Sequence, residues 1–272
     1  MVGEARQTTQ GDGLSHRFRH SMKKEEERQR AIWLRLARMG TASGAPEAFF
    51  ASGFRALDGV LGGGFPRGHM VEIFGPSGCG KTTLAIQCVA RVQKDALTAA
   101  WIDADHTFDP AWATGLGVDT ERVPFAQPAT AEQGMEIARQ LAGSGAVDLV
   151  VVDSAAALVP RLELEAGIGN DAPGLHARVL ASGLRKLRHT LRKSGACVVF
   201  LNQMRNRPEA SAGEGETSAG GAPLKLFAAV RIAMIPSAGG RVMLRVRKNK
   251  VAESMAEGVL ERRRGVGFVE SP

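Results

Sequence analysis

The segment from Gly75 to Thr82 carries the clearest chemical pattern in the chain. It reads Gly-Pro-Ser-Gly-Cys-Gly-Lys-Thr, matches G-x-x-x-x-G-K-[ST], follows an apolar run and precedes a helical pattern. Glycines let backbone N–H groups converge on phosphate oxygens, and the N-terminus of the next helix adds a favourable dipole. Lys81 would reach the outer phosphates, and the Thr82 hydroxyl would ligate Mg²⁺. The pattern predicts a phosphate-binding loop; the alternative is a glycine-rich turn that only caps a helix.

An acidic residue at the end of a second predicted strand supports this interpretation. The run Leu149–Asp153 reads as a buried strand that finishes in a carboxylate, so Asp153 is predicted to hold Mg²⁺ through water. A strand that ends in aspartate is common, and the signal gains weight only beside the phosphate loop.

Predicted strands and helices alternate along the chain and would position Lys81, Thr82 and Asp153. Apolar runs predict strands at Met70–Phe74, Leu97–Ile102, Leu149–Asp153 and Cys197–Asn202, and helical periodicity predicts helices at Lys81–Gln93, Ala131–Ala142 and Leu175–Lys193. This alternation predicts an α/β fold with a mainly parallel central sheet flanked by helices. Val230–Ile235 and Val242–Val246, separated by Ser237–Gly240, predict an antiparallel hairpin at the sheet edge.

Composition narrows the class of protein. With 272 residues, 44% of them hydrophobic, one main domain is expected. The net charge of +7, from 35 Lys and Arg against 28 Asp and Glu, favours polyanionic partners such as nucleic acid, although a basic balance also aids solubility. Three scattered cysteines indicate neither zinc nor disulfides, and no apolar run approaches the roughly 20 residues of a membrane helix. A cytoplasmic protein without a membrane partner is predicted.

Three regions follow from these patterns. Residues 1–45 form a basic arm in which Lys23–Met39 reads as a short helix, which would pack on its own domain or on a neighbouring subunit. Residues 46–252 form the core, and residues 253–272 a short tail or edge strand. Ala166–Pro173 and Asn206–Gly221 read as flexible loops.

Several runs together resemble the bacterial RecA family. They are Leu61–Gly68, Val71–Pro76, Ile102–His106, Gly145–Asp148, Phe200–Arg205 and Lys248–Lys250, and they cover roughly Ala51 to Ala252 in the family's order. The resemblance implies a RecA-type P-loop ATPase core that uses ATP and Mg²⁺ and assembles head to tail on single-stranded DNA. The implied ATP contacts in the loop are Gly75, Pro76, Ser77, Gly78, Cys79, Gly80, Lys81, Thr82 and Thr83.

The resemblance also assigns roles outside the loop. Asp109 and Trp112 would flank the adenine, although Trp112 could instead belong to the core. Asp105 stands where the family has the glutamate that orients the attacking water; aspartate is one methylene shorter, which predicts slow hydrolysis. Gln203 matches the γ-phosphate sensor. Lys248 and Lys250 match lysines that reach the neighbour's ATP, the alternative being two lysines on a solvated strand face.

DNA contacts are implied at five positions. Arg178 and Arg185, seven residues apart on one helix, suit phosphate contacts or a merely solvated basic face, and Arg205, Gly220 and Gly221 match the second DNA loop. The sequence departs from the family in both loops: Pro173 in the first, and Pro208, Ala210 and Ala212 in the second, replace larger apolar residues that in the family lodge between bases. It also departs at Leu226, where the family has a phenylalanine that relays between ATP and DNA. Because the chain ends at Pro272, the sequence further predicts that the family's duplex-capturing C-terminal domain is absent.

Two functions remain open from the sequence. One is an ATP-dependent, single-stranded-DNA-binding recombinase that acts in DNA repair and homologous recombination as a filament or ring. The other is a RecA paralogue that binds ATP and DNA as an accessory protein, for example in damage-induced translesion synthesis, with repair proteins as partners. A hexameric helicase or a circadian-type RecA-fold ATPase is a weaker option, because Asn202–Arg205 and Lys248–Lys250 match the recombinase family specifically.

Overall fold

The computed structural model describes residues 48–167, 172–206 and 216–271. The predicted N-terminal arm with its helix at Lys23–Met39, the centres of both predicted loops and the side chain of Arg205 therefore lie outside the described residues. Within them, the helices are α1 (Arg55–Leu61), α2 (Lys81–Lys94), α3 (Pro110–Gly115), α4 (Ala131–Gly143), α5 (Arg161–Glu165), α6 (Leu175–Ser194) and α7 (Ala222–Phe227).

The strands of the described ranges number twelve. They are β1 (Phe49–Phe50), β2 (Phe65–Pro66), β3 (Met70–Gly75), β4 (Ala99–Asp103), β5 (Phe125–Ala126), β6 (Leu149–Asp153), β7 (Cys197–Asn206), β8 (Glu216–Ser218), β9 (Val230–Pro236), β10 (Arg241–Asn249), β11 (Glu257–Arg263) and β12 (Gly267–Glu270).

One large sheet organises these elements. Its order is β12-β11-β10-β9-β3-β7-β6-β4-β5, with β8 added to β7, while β1 and β2 form a separate antiparallel pair. The strands from β9 to β5 run parallel, and β9 to β12 are successively antiparallel. The predicted α/β class, the parallel centre and the β9–β10 hairpin are confirmed. The hairpin is followed by two further strands of the same sheet, so β10 is not the edge.

Two predicted boundaries differ from the structure for local reasons. The strand predicted from Leu97 begins at Ala99, because the chain is still closing helix α2 there, with Leu97 N–H donating to the Val92 carbonyl at 3.0 Å. The strand predicted to end at Asn202 continues to Asn206, because β8 pairs with its last three residues. Part of the second predicted loop is therefore strand.

Helices cover both faces of the parallel strands, as strands buried on two sides require. Leu149 and Val151 of β6 join the core cluster that contains α1 and α2, while the alternating Val150 and Val152 are equally buried on the other side. On that side α4 packs closely on α6: a Cβ at Gly183 would lie 2.8 Å from Met135. The sheet therefore holds a continuous apolar centre beneath the loops at its edge.

A buried ion pair interrupts this apolar centre. Glu72 of β3 is fully buried beside its register partner Arg231 of β9, whose Nε donates to Glu72 Oε2 at 2.5 Å. Arg231 Nη2 also donates to Ser218 Oγ at 3.1 Å, and Asn202 Nδ2 donates to Glu72 Oε1 at 2.9 Å. We call these four residues the Glu72 network. Its charges are paired and hydrogen-bonded, which is the condition under which buried charges are tolerated.

Removing one partner of this pair should destabilise the fold strongly. We expect Glu72→Gln to lower the free energy of unfolding by about 3–5 kcal/mol, because it leaves the Arg231 guanidinium buried without a counter-charge. Urea unfolding followed by circular dichroism measures the change.

The control is Glu136→Gln, which breaks the exposed pair between Glu136 and Arg139 on α4. Exposed pairs contribute about 0–1 kcal/mol, so this variant should change little. An equally small loss in Glu72→Gln would contradict the role assigned to the buried pair.

Candidate nucleotide-binding site

The phosphate loop leaves β3 at Gly75 and enters α2 at Lys81. Gly78 and Gly80 have φ angles of 74° and 96°, in the left-handed region that glycine adopts without strain. Gly80 is the N-cap of α2 and supplies no side-chain cap, so the first N–H groups of the helix are not used by a capping side chain. This arrangement is the anion-binding geometry of a helix N-terminus.

The Lys81 side chain folds back over the loop. Its Nζ donates to the carbonyls of Gly75 at 3.0 Å and Pro76 at 2.9 Å, and lies 3.8 Å from Cys79 Sγ. The ammonium is thus held at the loop, where it can meet a phosphate. Burial raises the pKa of the Cys79 thiol, against the opposing effect of Lys81, so Cys79 serves as a small buried neutral residue.

Thr82 and Asp153, the two predicted metal ligands, lie in contact with each other. Thr82 Oγ1 donates to Asp153 Oδ2 at 2.7 Å across the ends of α2 and β6. A hydroxyl and a carboxylate are the oxygen ligands that Mg²⁺ prefers alongside substrate phosphates and water. The pair fits the predicted metal, whose charge would neutralise the phosphates.

Asp153 is electrostatically disfavoured as an anion. Burial above all, and then the charges of Asp105 and Asp103, raise its pKa from the ordinary 3.8 to about 6, against the hydrogen bond from Thr82 and the charge of Lys81. Asp103 has a structural task, since it accepts hydrogen bonds from Thr107 N–H at 3.1 Å and Gln127 Nε2 at 3.0 Å. A cation at this position would relieve the repulsion.

Asp105, the predicted water-orienting residue, lies beside this pair. Its Oδ1 accepts from Ser154 Oγ at 3.2 Å, and its N–H donates to the Asp153 carbonyl at 3.1 Å. It is half-buried, just beyond the end of β4. Its role as base stays a prediction.

The two predicted adenine contacts lie at the start of α3. Asp109 is the N-cap, and its Oδ1 accepts from Ala111 N–H at 2.9 Å and Trp112 N–H at 3.1 Å. Trp112 is half-buried and packs on the core cluster. The side chain therefore has a core contact and an accessible part, and stacking on adenine stays a prediction.

Gln203 connects the loop edge to the second predicted DNA loop. It pairs with Gly75 in the parallel register of β3 and β7, and its side chain is exposed. Its N–H donates to Asn202 Oδ1 at 2.9 Å, and its carbonyl accepts from Ala219 N–H at 2.9 Å. Because Gln203 and Asn202 are both bonded to Ala219, a displacement of Gln203 would act on the residues that follow β8. Asn202 also belongs to the Glu72 network.

Lys248 and Lys250 line a different part of the surface. Lys248 Nζ donates to the carbonyls of Lys225 at 2.7 Å and Leu226 at 3.1 Å, at the C-terminal end of α7. Burial, and then the charge of Lys250, lower the pKa of Lys248. Both lysines line a cavity of about 320 Å³ whose other walls include Arg188 and Arg192. Within one chain this cavity does not include the phosphate loop, and a contact with a neighbour's ATP stays a prediction.

The predicted DNA residues divide into two groups. Arg178 and Arg185 are exposed on α6. Gly220 and Gly221 have φ angles of 79° and 76°, and a Cβ at Gly220 would lie 3.3 Å from the His176 ring. The glycine pair thus lets the end of the second loop lie against the first turn of α6.

The structure adds contacts to the site that no sequence pattern indicated. Arg262 Nη1 of β11 donates to the Gly78 carbonyl at 2.6 Å, and a Cβ at Gly80 would lie 2.8 Å from the Phe268 ring of β12. The alternation of polar and apolar residues predicts that Phe268 is buried, but not against which element.

No helix among the described residues is both long and apolar enough to cross a membrane.

The raised pKa of Asp153 makes a stability prediction. Since the folded pKa of about 6 exceeds the ordinary 3.8, ionised Asp153 destabilises the fold above pH 6, and this penalty fades as the pH falls toward 4. We expect Asp153→Asn to raise the free energy of unfolding of the nucleotide-free protein by about 2 kcal/mol at pH 8 and by much less near pH 4. Thermal unfolding at both pH values measures it.

Asp109→Asn is the matched control, because asparagine caps a helix as well as aspartate and should leave the unfolding temperature nearly unchanged. A gain in Asp153→Asn that does not depend on pH would contradict the electrostatic cause.

Comparison with known proteins agrees with this geometry. The family model described as RecA N-terminal domain matches residues 34–267. Protein RecA of Lactiplantibacillus pentosus is 43% identical over 246 residues, covering 87% of this chain and 65% of that protein. Protein RecA of Picosynechococcus sp. is 45% identical over 227 residues, covering 80% and 65%. The chain thus spans about two thirds of the length of these relatives. With most of its length matched by that family model, the chain belongs to the RecA family.

Proposed function

We propose that this protein is an ATP-dependent, single-stranded-DNA-binding recombinase of DNA repair and homologous recombination. The observation that carries the proposal is the junction at Gly75, where the phosphate loop lies in register with Gln203 on the strand that leads to the second loop. A nucleotide at the phosphate loop and single-stranded DNA at the second loop would thus be connected through the neighbouring β-strands β3 and β7. The proteins named RecA that resemble this chain favour the same function.

ATP and Mg²⁺ are the proposed cofactors. The backbone N–H groups from Gly75 to Thr83, all but that of Pro76, which has none, would bind the phosphates, and Lys81 would neutralise their charge. Thr82 would hold the metal directly, and Asp153 would hold it through water. Mg²⁺ held by Thr82 and Asp153 would supply positive charge that offsets the negative charge of the phosphates. Asp109 and Trp112 would border the adenine.

Asp105 is the proposed general base. Its carboxylate is tied to Ser154 and adjoins the metal pair, so it is placed to orient a water toward the outermost phosphate. The shorter side chain holds that water less well than a glutamate would, since a misplacement of about 1 Å can cost about a hundredfold in rate. Slow turnover is therefore part of the proposal.

DNA binding is proposed along one face of the molecule. Arg178 and Arg185 would contact backbone phosphates without reading sequence, and Arg205 with the Gly220-Gly221 turn would frame the second loop. Gln203 would report the presence of the γ-phosphate to that loop through Asn202 and Ala219.

Self-association completes the proposed site. Lys248 and Lys250 would reach the ATP of an adjacent copy in a head-to-tail filament or ring, for which Lys248 would exchange the α7 carbonyls for phosphate oxygens. We place the protein in the cytoplasm, with repair proteins as further partners.

The accessory-paralogue hypothesis rests on Pro208, Ala210 and Ala212, which lie outside the described residues, and on Asp105. Strand exchange between circular single-stranded DNA and linear duplex separates the two functions. The recombinase gives heteroduplex product with ATP. Filaments that bind DNA and yield no heteroduplex would overturn the proposal in favour of an accessory role.

ATP turnover tests the proposed catalytic residues. We expect slow hydrolysis that single-stranded DNA stimulates, an inactive Lys81→Ala variant, and turnover raised by about ten- to a hundredfold in Asp105→Glu, because the added methylene restores the reach of the base. Phosphate release with and without DNA measures the rates.

The matched control is Asp95→Glu, the same change at an exposed residue that closes α2 and pairs with Arg91. It should leave turnover unchanged. Unchanged turnover in Asp105→Glu would contradict the assigned role.

Salt dependence tests the proposed DNA face. Replacing Arg178 or Arg185 by alanine should weaken binding to single-stranded DNA and reduce the slope of log K against log salt by about 0.7 for each lost phosphate contact. Fluorescence anisotropy with a labelled oligonucleotide at several salt concentrations measures both. Lys94→Ala removes the same charge at the end of α2 and should keep the original slope; a slope that survives in the arginine variants would refute the contact.

A further inference from the structure

The phosphate loop is held from outside by a pair of residues on β11 and β12. Arg262 and Phe268 are register partners in the antiparallel pairing, so their side chains share one face. Arg262 Nη1 donates to the Gly78 carbonyl at 2.6 Å, and the Phe268 ring closes on Gly80 so that a Cβ there would lie 2.8 Å away. Neighbouring points of the loop are thus contacted by neighbouring residues of one hairpin.

This hairpin is itself anchored to the nucleotide helix. Gln87 of α2 donates from Nε2 to the Phe268 carbonyl at 3.0 Å and accepts at Oε1 from Phe268 N–H at 2.7 Å. Phe268 is only 2% exposed. Because β12 is fixed on α2, the guanidinium that β11 extends toward Gly78 starts from a position that is rigid relative to the loop.

The Gly78 contact bears on the Cys79 N–H, one of the proposed phosphate donors, which in this structure makes only a long bond of 3.4 Å to the Pro76 carbonyl. The Gly78 carbonyl and the Cys79 N–H belong to one planar peptide unit, so fixing the oxygen also fixes the direction of the N–H. A Cβ at Gly78 would meet no atom within 4 Å, so at the Gly78 end of this peptide no packed side chain restrains the loop, although the Cys79 end is buried in the core. A cationic donor on the carbonyl also polarises the peptide and strengthens its N–H as a donor to an anion.

We infer that Arg262 is a positioning residue for the nucleotide, which orients the Cys79 N–H toward the phosphates and adds a positive charge to the loop. The inference rests on the proposed function, because it needs a nucleotide at this loop. The same loop would bind the phosphates that ATP and ADP share, so the affinity for both nucleotides should depend on Arg262 to a similar extent.

Binding of Mg-ATP and Mg-ADP to the full chain, measured by isothermal titration calorimetry, tests the inference. Arg262→Met should raise the Kd of both nucleotides by about three- to tenfold, the effect of losing one ordinary net hydrogen bond. Arg262→Lys, which keeps the charge, should recover part of the affinity. The unfolding temperature of the nucleotide-free protein should stay unchanged, because Arg262 is exposed.

Arg263→Met is the matched control. It removes the same charge from the next residue of β11, whose guanidinium pairs with Glu261 at 2.8 Å, and should bind both nucleotides like the wild type. The inference is overturned if Arg262→Met keeps the wild-type Kd, if Arg263→Met loses as much affinity, or if the loss follows a lowered unfolding temperature.

Lys81→Ala separates this inference from the proposed function. Wild-type binding that Lys81→Ala abolishes supports the nucleotide site whatever Arg262 does. A wild-type chain that binds neither nucleotide would refute the site itself.

Discussion

The parallel register of β3, β7, β6 and β4 is the constraint on which the candidate site depends. Parallel strands end at one edge of a sheet, and this register sets Gly75 beside Gln203 and Asp103 beside Asp153. The side chains of Asp103 and Asp153 are short, and they lie close together because the backbone brings the strand ends level. A slip of one residue in either pairing would turn the end residue to the opposite face of the sheet.

Charge is treated in opposite ways at the edge and in the centre of this sheet. In the centre, Glu72 and Arg231 are paired with each other and with neutral donors and acceptors, so the buried charges are satisfied within the chain. At the edge, Asp153 lies near Asp105 and Asp103 with one hydroxyl donor from Thr82, and burial, followed by the two neighbouring carboxylates, raises its pKa. The first arrangement stabilises a fold; the second is suited to a divalent cation.

Hydrogen bonds also connect the edge of the sheet that carries the phosphate loop to the second loop and to the surface around Lys248. The Gln203 carbonyl holds Ala219, Ser218 holds Arg231, and α7, which follows the Gly220-Gly221 turn, is bonded at its C-terminal end by Lys248. These contacts place the nucleotide edge, the second loop and the proposed intersubunit lysines within one bonded path.

The sequence by itself determined the fold class, the phosphate loop and the Thr82–Asp153 pair. These follow from local patterns: periodicity of apolar residues, a glycine spacing tied to one backbone shape, and a strand that ends in a carboxylate. Only the tertiary structure decided that Lys248 bonds α7 and that Arg262 and Phe268 clasp the loop. The physical reason is separation along the chain. Arg262 and Gly78 are brought together by β11 and β12 folding back against α2, and nothing in a run of three consecutive arginines specifies which distant carbonyl a guanidinium will meet.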